Sequence, residues 1–248
     1  MSADFQAHDS DSASLGGRVF SLPDAGFALP AHIPLIHSDS PQRLFRYRFI
    51  KRGIDITLVV LSAPFVLLLL AAIVVAVRLS SPGPIFFSHR RIRRHGAFFT
   101  MWKFRTMCVD SAEVLETYLS ANPGARAEWR ATHKLRHDPR ITPIGAFLRR
   151  TSLDELPQLW NILTGSMTLV GPRPIVAAEL EKYGEYFADY CLVKPGLTGL
   201  WQVSGRSAVD YPERVLLDRH YAHHWSLGGD LKILLKTFRA VINQDGAY

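Results

Sequence analysis

Between Ile56 and Val77 the chain runs for 22 residues without a charge. At ~1.5 Å per helical residue, that is long enough to cross a hydrocarbon core ~30 Å thick. A fold must either bury this segment or give it to a membrane. Two details argue against a simple crossing. Ser62-Ala63-Pro64 falls inside the run, and a proline there removes a helix hydrogen bond and clashes with the preceding turn. Both flanks are also basic. Arg43, Arg46, Arg48, Lys51 and Arg52 precede the run without an acid, and seven Arg or Lys residues from Arg78 to Arg105 follow it before Asp110. Basic flanks favour the cytoplasmic face. A helix broken at Ser62 and Pro64, entering and leaving on one side, satisfies both facts. Backbone groups freed at the break then need partners at depth, and the Ser62 hydroxyl is a candidate. Asp55 is expected near the interface, within reach of Lys51 or Arg52. A proline-kinked span is the competing reading.

Charge divides the rest of the chain. The net charge is +7, although residues 1–40 hold five Asp against one Arg. Those residues, rich in Ser, Ala, Pro and Gly, read as a disordered acidic tail (1–42), and Asp9-Ser10-Asp11 within it reads as solvated rather than as a metal site. A basic body favours nucleic acid, anionic headgroups or phosphorylated substrates. The two cysteines, Cys108 and Cys191, have no spacing for a zinc ribbon or a disulfide scaffold.

Beyond the apolar run, alternation across 84–107 with a turn at His95-Gly96 predicts a β-hairpin with Arg90 to Arg94 near its tip. Helical patterns follow at 110–121, 125–135, 143–150, 158–163 and 175–187. The C-terminal stripe of Leu231, Leu234, Leu235, Phe238, Val241 and Ile242 predicts an amphipathic helix, either packed on the core, the favoured reading, or lying on a membrane surface. No run of parallel strands builds a Rossmann sheet. The expected fold is α+β and mainly helical. It is a membrane-associated monotopic domain with a re-entrant broken helix (43–79 with its basic flank), a short hairpin and a cytoplasmic catalytic domain (80–248).

The chemistry is concentrated at Arg149-Arg150-Thr151-Ser152-Leu153-Asp154-Glu155-Leu156-Pro157-Gln158. Adjacent acids beside fixed cations suit work on a phosphate. One acid attacks or holds a metal while arginines neutralise phosphoryl oxygens. Helix capping explains the same residues: Asp154 as N-cap leaves Pro157 in the first turn, where no donor is needed. A carboxylate there would stay ionised at the positive helix end. Gly171-Pro172-Arg173-Pro174 adds a second basic turn.

Five segments in order, Lys103 to Met107, Asp138 to Thr142, Ser152 to Gln158, Leu169 to Pro174 and Lys194 to Arg206, carry a resemblance. Residues 45–248 resemble the bacterial sugar transferase family, the monotopic polyprenyl-phosphate phosphoglycosyl transferases of the short, exopolysaccharide-initiating type. The resemblance implies that Asp154 attacks the sugar-bearing phosphate of a nucleoside diphosphate sugar. Polyprenyl phosphate then takes up the sugar phosphate. It implies Mg²⁺ at Glu155, phosphate contacts from Lys103, Arg149 and Arg173, and a re-entrant helix broken near Ser62 and Pro64. The expected partners are a UDP-sugar (glucose or galactose), undecaprenyl phosphate and membrane lipids, with no nucleic acid. The expected location is the cytoplasmic face of a bacterial inner membrane. The alternative is a membrane-anchored adaptor of a polysaccharide assembly complex that does no chemistry and has no need of Asp154. Trp201 and Gln202 fit the core or the substrate, and the sequence assigns no metal role to His223-His224.

Overall fold

A computed structural model of the chain describes residues 46–132, 134–205 and 209–242. The expectations for residues 1–42 lie outside the described residues. A π-turn at Arg46–Ile50 leads into α1, Lys51–Ser80, a 30-residue helix with Pro64 inside it. This helix is long and apolar enough to cross a membrane. Its buried side chains sit at its two ends: Lys51, Asp55 and Val59, then Ile73 and Val77. Between them Leu61, Phe65 and Leu68 are 69%, 79% and 74% exposed. The Ser62 hydroxyl donates to the Val59 carbonyl at 2.9 Å. That is one residue before Val60, whose carbonyl loses its donor to Pro64.

The hairpin forms as expected. Strand β1 (Phe86–Ile92) pairs antiparallel with β2 (Phe98–Phe104), with Phe87 opposite Lys103, His89 opposite Met101 and Arg91 opposite Phe99. Directly opposed residues share a face, so Arg91, Met101 and Lys103 point to one side. Helix α2 (Ser111–Ala121) and α3 (Pro123–Thr132) follow, then α4 (Pro143–Arg150), which Thr142 caps by accepting the Gly145 N–H at 2.9 Å. A 3₁₀ turn at Leu153–Glu155 precedes α5 (Gln158–Leu163). Strand β3 (Thr168–Val170) pairs in parallel with β4 (Gly196–Thr198). Between them lie α6 (Leu180–Tyr183) and α7 (Phe187–Tyr190), and the chain ends in α8 (Tyr211–His224) and α9 (Leu227–Ile242). The architecture is mainly helical with a short hairpin and one long apolar helix.

The core is built in patches around these elements. Val59 of α1 clusters with Met101, Ile162 and Met167. Ile73 and Val77 cluster with Phe104 and Leu148. On the far side, Ile92 and Ile175 join Tyr183, Phe187 and Tyr190.

Three local expectations are corrected. Residues 175–187 do not form one helix: α6 ends at Gly184, whose φ is +50°, and a 3₁₀ turn separates it from α7. Asp55 does not pair with Lys51 or Arg52. It accepts the Thr168 hydroxyl at 2.6 Å and the Leu169 N–H at 3.2 Å, because α1 packs over β3. In α9 the apolar stripe is not the core face. Leu231, Leu235 and Phe238 are 58%, 63% and 69% exposed, whereas Asp230 and Ile233 are buried. The buried carboxylate of Asp230, tied to Lys51, turns the helix and so overrides its apolar stripe.

Candidate active site

The acid pair lies in the turn between α4 and α5. Ser152, the residue before the turn, has φ +57°. A non-glycine residue held in the left-handed region stores strain that the surrounding structure must hold. It reverses the chain after α4 and turns Asp154 inward. The expectation that Asp154 caps a helix is corrected. The α5 helix begins at Gln158 with Pro157 at its N-cap, because residues 153–155 close their own 3₁₀ turn first. Both acids are therefore left outside a helix dipole, and other groups set their charge.

Those groups come mainly from the hairpin. Lys103, on the cleft-facing side of β2, reaches Glu155 Oε1 at 2.6 Å and Asp154 Oδ2 at 3.6 Å. The two carboxylates respond in opposite directions. Burial pushes the Asp154 carboxyl above its ordinary range, and neighbouring Glu155 adds to this, against the pull of Lys103 and Arg149. Burial also opposes ionisation of Glu155, but Lys103 and then Arg173 outweigh it and hold that carboxyl low. Glu155 is thus a fixed anion, while Asp154 is a buried base with little to satisfy its charge, 8% exposed.

Arg149 approaches from α4. Its Nε donates to the Thr106 hydroxyl at 2.8 Å, and its charge acts on Asp154. Arg173 stands across a narrow cleft that Lys103, Glu155, Arg91 and Gln158 also line. The two loops that shape this cleft cross backbone on backbone. A Cβ at Gly171 would collide with the Lys194 carbonyl, and one at Gly196 with the Gly171 N–H. Glycine at both places lets Gly171-Pro172-Arg173-Pro174 lie directly against Lys194-Pro195-Gly196. Of the residues expected at the site, Lys103, Asp154, Glu155, Arg149 and Arg173 all converge. Ser62 and Pro64 remain in α1 and take no part.

Two cleft residues escaped sequence reasoning. Arg91 lies beside Arg173 and is lowered by burial and by that second cation. Arg91 also pairs with Glu179 at 3.7 Å and donates to the Pro174 carbonyl at 3.2 Å, and with Arg173 it makes this side of the cleft positive. The strand register carries its signal, since Arg91 and Lys103 share a face. Gln158 is 2% exposed, and among the described residues its amide nitrogen has no partner. A buried donor left open in a cleft suits a ligand oxygen. Gln202 lines the cleft as well, while Trp201 is buried under Arg214 at 4.6 Å. His223 bonds Asp189 at 2.7 Å.

Among the described residues, no three His, Cys, Asp or Glu side chains gather as a metal cage. Magnesium needs less, since it keeps waters and is held by one or two carboxylates plus substrate phosphates. The adjacent oxygens of Asp154 and Glu155 are hard donors, and Lys103 already draws them to a cation. The donor set fits Mg²⁺, with Glu155 the more readily ionised ligand.

Residues 46–244 match the family described as bacterial sugar transferase. The chain is 48% identical, over 81% of its length, to an undecaprenyl-phosphate galactose phosphotransferase of Salmonella typhimurium, covering 42% of that protein. It is 48% identical, over 80% of its length, to the exopolysaccharide production protein ExoY of Rhizobium meliloti, covering 88% of it. With a UDP-glucose:undecaprenyl-phosphate glucose-1-phosphate transferase of Escherichia coli it shares 40% identity over 79% of the chain and 41% of that protein. The chain spans about half the length or less of several curated relatives it matches.

Proposed function

The chain belongs to the bacterial sugar transferase family, and we propose that it transfers a hexose 1-phosphate from a UDP-hexose to undecaprenyl phosphate through a phospho-aspartyl intermediate. The observation that carries this is the unequal acid pair. Glu155 is held ionised by Lys103 at 2.6 Å, while Asp154 shares that lysine at 3.6 Å and is raised by burial despite it. A desolvated carboxylate with free lone pairs is a nucleophile. Its oxygen attacks the sugar-bearing phosphorus, the bond from that phosphorus to the bridging oxygen breaks, and UMP leaves with the electron pair. An oxygen of undecaprenyl phosphate then attacks the same phosphorus and displaces the Asp154 carboxylate. Arg173, Arg91 and Lys103 neutralise phosphoryl oxygens in both steps. Gln158 donates to a substrate oxygen. Mg²⁺ at Glu155 would add positive charge against the diphosphate. Relatives named for galactose and for glucose support a hexose, in the first step of exopolysaccharide or glycoconjugate assembly.

The same reading places the body on the cytoplasmic face of the inner membrane with α1 as a re-entrant helix. On a straight helix Val59 and Ile73 would lie ~21 Å apart. They cluster with Met101 and Phe104, which are separated by only ~10 Å of strand. A bend at Pro64 would let both ends of α1 pack on the body while its exposed middle meets lipid. A cysteine placed at Ser14, with Cys108 and Cys191 removed, should resist an impermeant thiol reagent in intact cells. Labelling from outside would mean a true span.

The test of chemistry is to trap the intermediate. Wild-type protein incubated with donor labelled in the sugar phosphate should retain label covalently, and undecaprenyl phosphate should release it. Asp154→Asn should retain none and lose turnover by ~10⁴-fold or more. Substantial turnover by that variant would exclude Asp154 as the nucleophile, whereas no turnover by the wild type would favour the adaptor reading.

A further inference from the structure

A second cavity, of about 200 Å³, opens beyond the hairpin tip, lined by Arg93, Arg94 and Lys194 with Gly165 and Ser166. It shares no lining residue with the catalytic cleft, and among the described residues no carboxylate lines it. A fourth cation closes it. A Cβ built on Gly165 would lie 3.5 Å from Lys194 Nζ and 3.6 Å from an Arg52 terminal nitrogen, so both charges converge on this glycine.

Two of these cations, Arg52 and Arg94, are held in place. The Arg52 guanidinium donates to the carbonyls of Ile162 and Leu163 at the end of α5. Arg94 lies over the Tyr47 ring, 5.9 Å from its centre. The Tyr47 hydroxyl accepts the Lys194 backbone N–H at 2.7 Å. The tip is fixed by His95, whose φ is +64° and whose N–H donates to the Cys191 carbonyl at 3.0 Å. Asp55 accepts from Thr168 and Leu169, and its charge offsets part of the repulsion on Lys194. Burial lowers the basicity of Lys194, and Arg52, Arg94 and Arg93 add to this. Like charges fixed around a hollow destabilise the empty protein and favour an anion that fills it.

We infer that this cavity is a second phosphate-binding site, separate from the catalytic cleft and recognising a phosphate monoanion or diester through Arg52, Arg93, Arg94 and Lys194. Guanidinium and ammonium donors match phosphoryl oxygens, and the volume admits more than a bare phosphate. Arg52 belongs to the second residue of the apolar helix, which brings the site to the level of a lipid headgroup. A soluble phosphate presents the same chemistry. The inference does not depend on the transferase reading, because its readout is binding and not turnover.

The full chain, purified in detergent, is titrated with inorganic phosphate and separately with dihexanoyl-phosphatidylglycerol, following the thermal unfolding midpoint. Saturable stabilisation is expected in the wild type and in Arg173→Gln, which alters only the cleft. The double variant Arg93→Gln/Lys194→Gln should weaken binding by about tenfold or more, as loss of charge-assisted bonds implies. Without ligand it should unfold no earlier than wild type, since repulsion is relieved. Saturation by the lipid alone identifies a headgroup site, by phosphate alone a soluble-anion site, and by both a site for phosphate in either form. Should the double variant fail to fold, Arg93→Gln, whose side chain is exposed, should still weaken binding several-fold. Unchanged affinity in Arg93→Gln, no saturable binding of either probe, or binding abolished by Arg173→Gln would overturn the inference.

Discussion

Asp154 and Asp230 are withdrawn from water to nearly the same degree, 8% and 7% exposed, yet their surroundings differ. Asp230 accepts from Lys51 at 2.5 Å, the Tyr221 hydroxyl at 2.8 Å and the Trp225 indole at 3.0 Å. Asp154 has one cation at 3.6 Å, and that cation is closer to Glu155. The first carboxylate is saturated and ties the start of α1 to α9. The second is buried with its charge poorly met. A buried charge with full partners holds a fold together, whereas one without them costs stability and is retained for chemistry. Asp55, satisfied by Thr168 and Leu169, belongs with Asp230. Gln158, with its open amide nitrogen, belongs with Asp154.

The sharpest way to break this comparison is to remove both charges in turn. Asp154→Asn should abolish turnover while unfolding no earlier than wild type at neutral pH. Its folded pKa lies above its unfolded value, so a stability penalty builds as pH rises through that interval and persists above it. The variant removes that penalty. A clear loss of stability would make Asp154 structural.

Asp230→Asn should do the reverse. It leaves the Lys51 ammonium, 4% exposed, without its counter-charge, at a cost of about 3 kcal/mol or more in denaturant unfolding. Activity per folded molecule should survive. A stable but inactive Asp230→Asn would mean that the junction of α1 with the body reaches into catalysis.

The smallest effect is on pH dependence. Because Asp154 must be ionised to attack and its pKa is raised, the acid limb of kcat/KM should lie above the ordinary carboxylate range. Glu155, held low, contributes stability that is present above its unfolded pKa and lost only as pH falls through the folded one. An acid limb at ordinary carboxylate values that moves in Glu155→Gln would assign the two roles the other way round.

The local pattern of residues was enough to place the apolar helix, the hairpin, the basic residues and the acid pair. Each rests on a property of neighbouring residues: length without charge, alternation, turn residues, and clustered acids and bases. Sequence also named Lys103, Arg149 and Arg173 through a resemblance, and all three reach the site. What sequence misjudged is decided partly by competing local turns and mostly over long range. Whether Asp154 caps a helix depends on which turn closes first. Which face of α9 is buried depends on Lys51, 179 residues from Asp230. That Arg91 meets Arg173, or that Arg52 and Lys194 converge on one glycine, follows from how loops cross, and no local period encodes such a crossing. The sequence alone set the types of charge and the lengths of the elements. Only the tertiary structure decided which carboxylate is satisfied and which is left poorly paired, because burial and pairing are properties of neighbours in space.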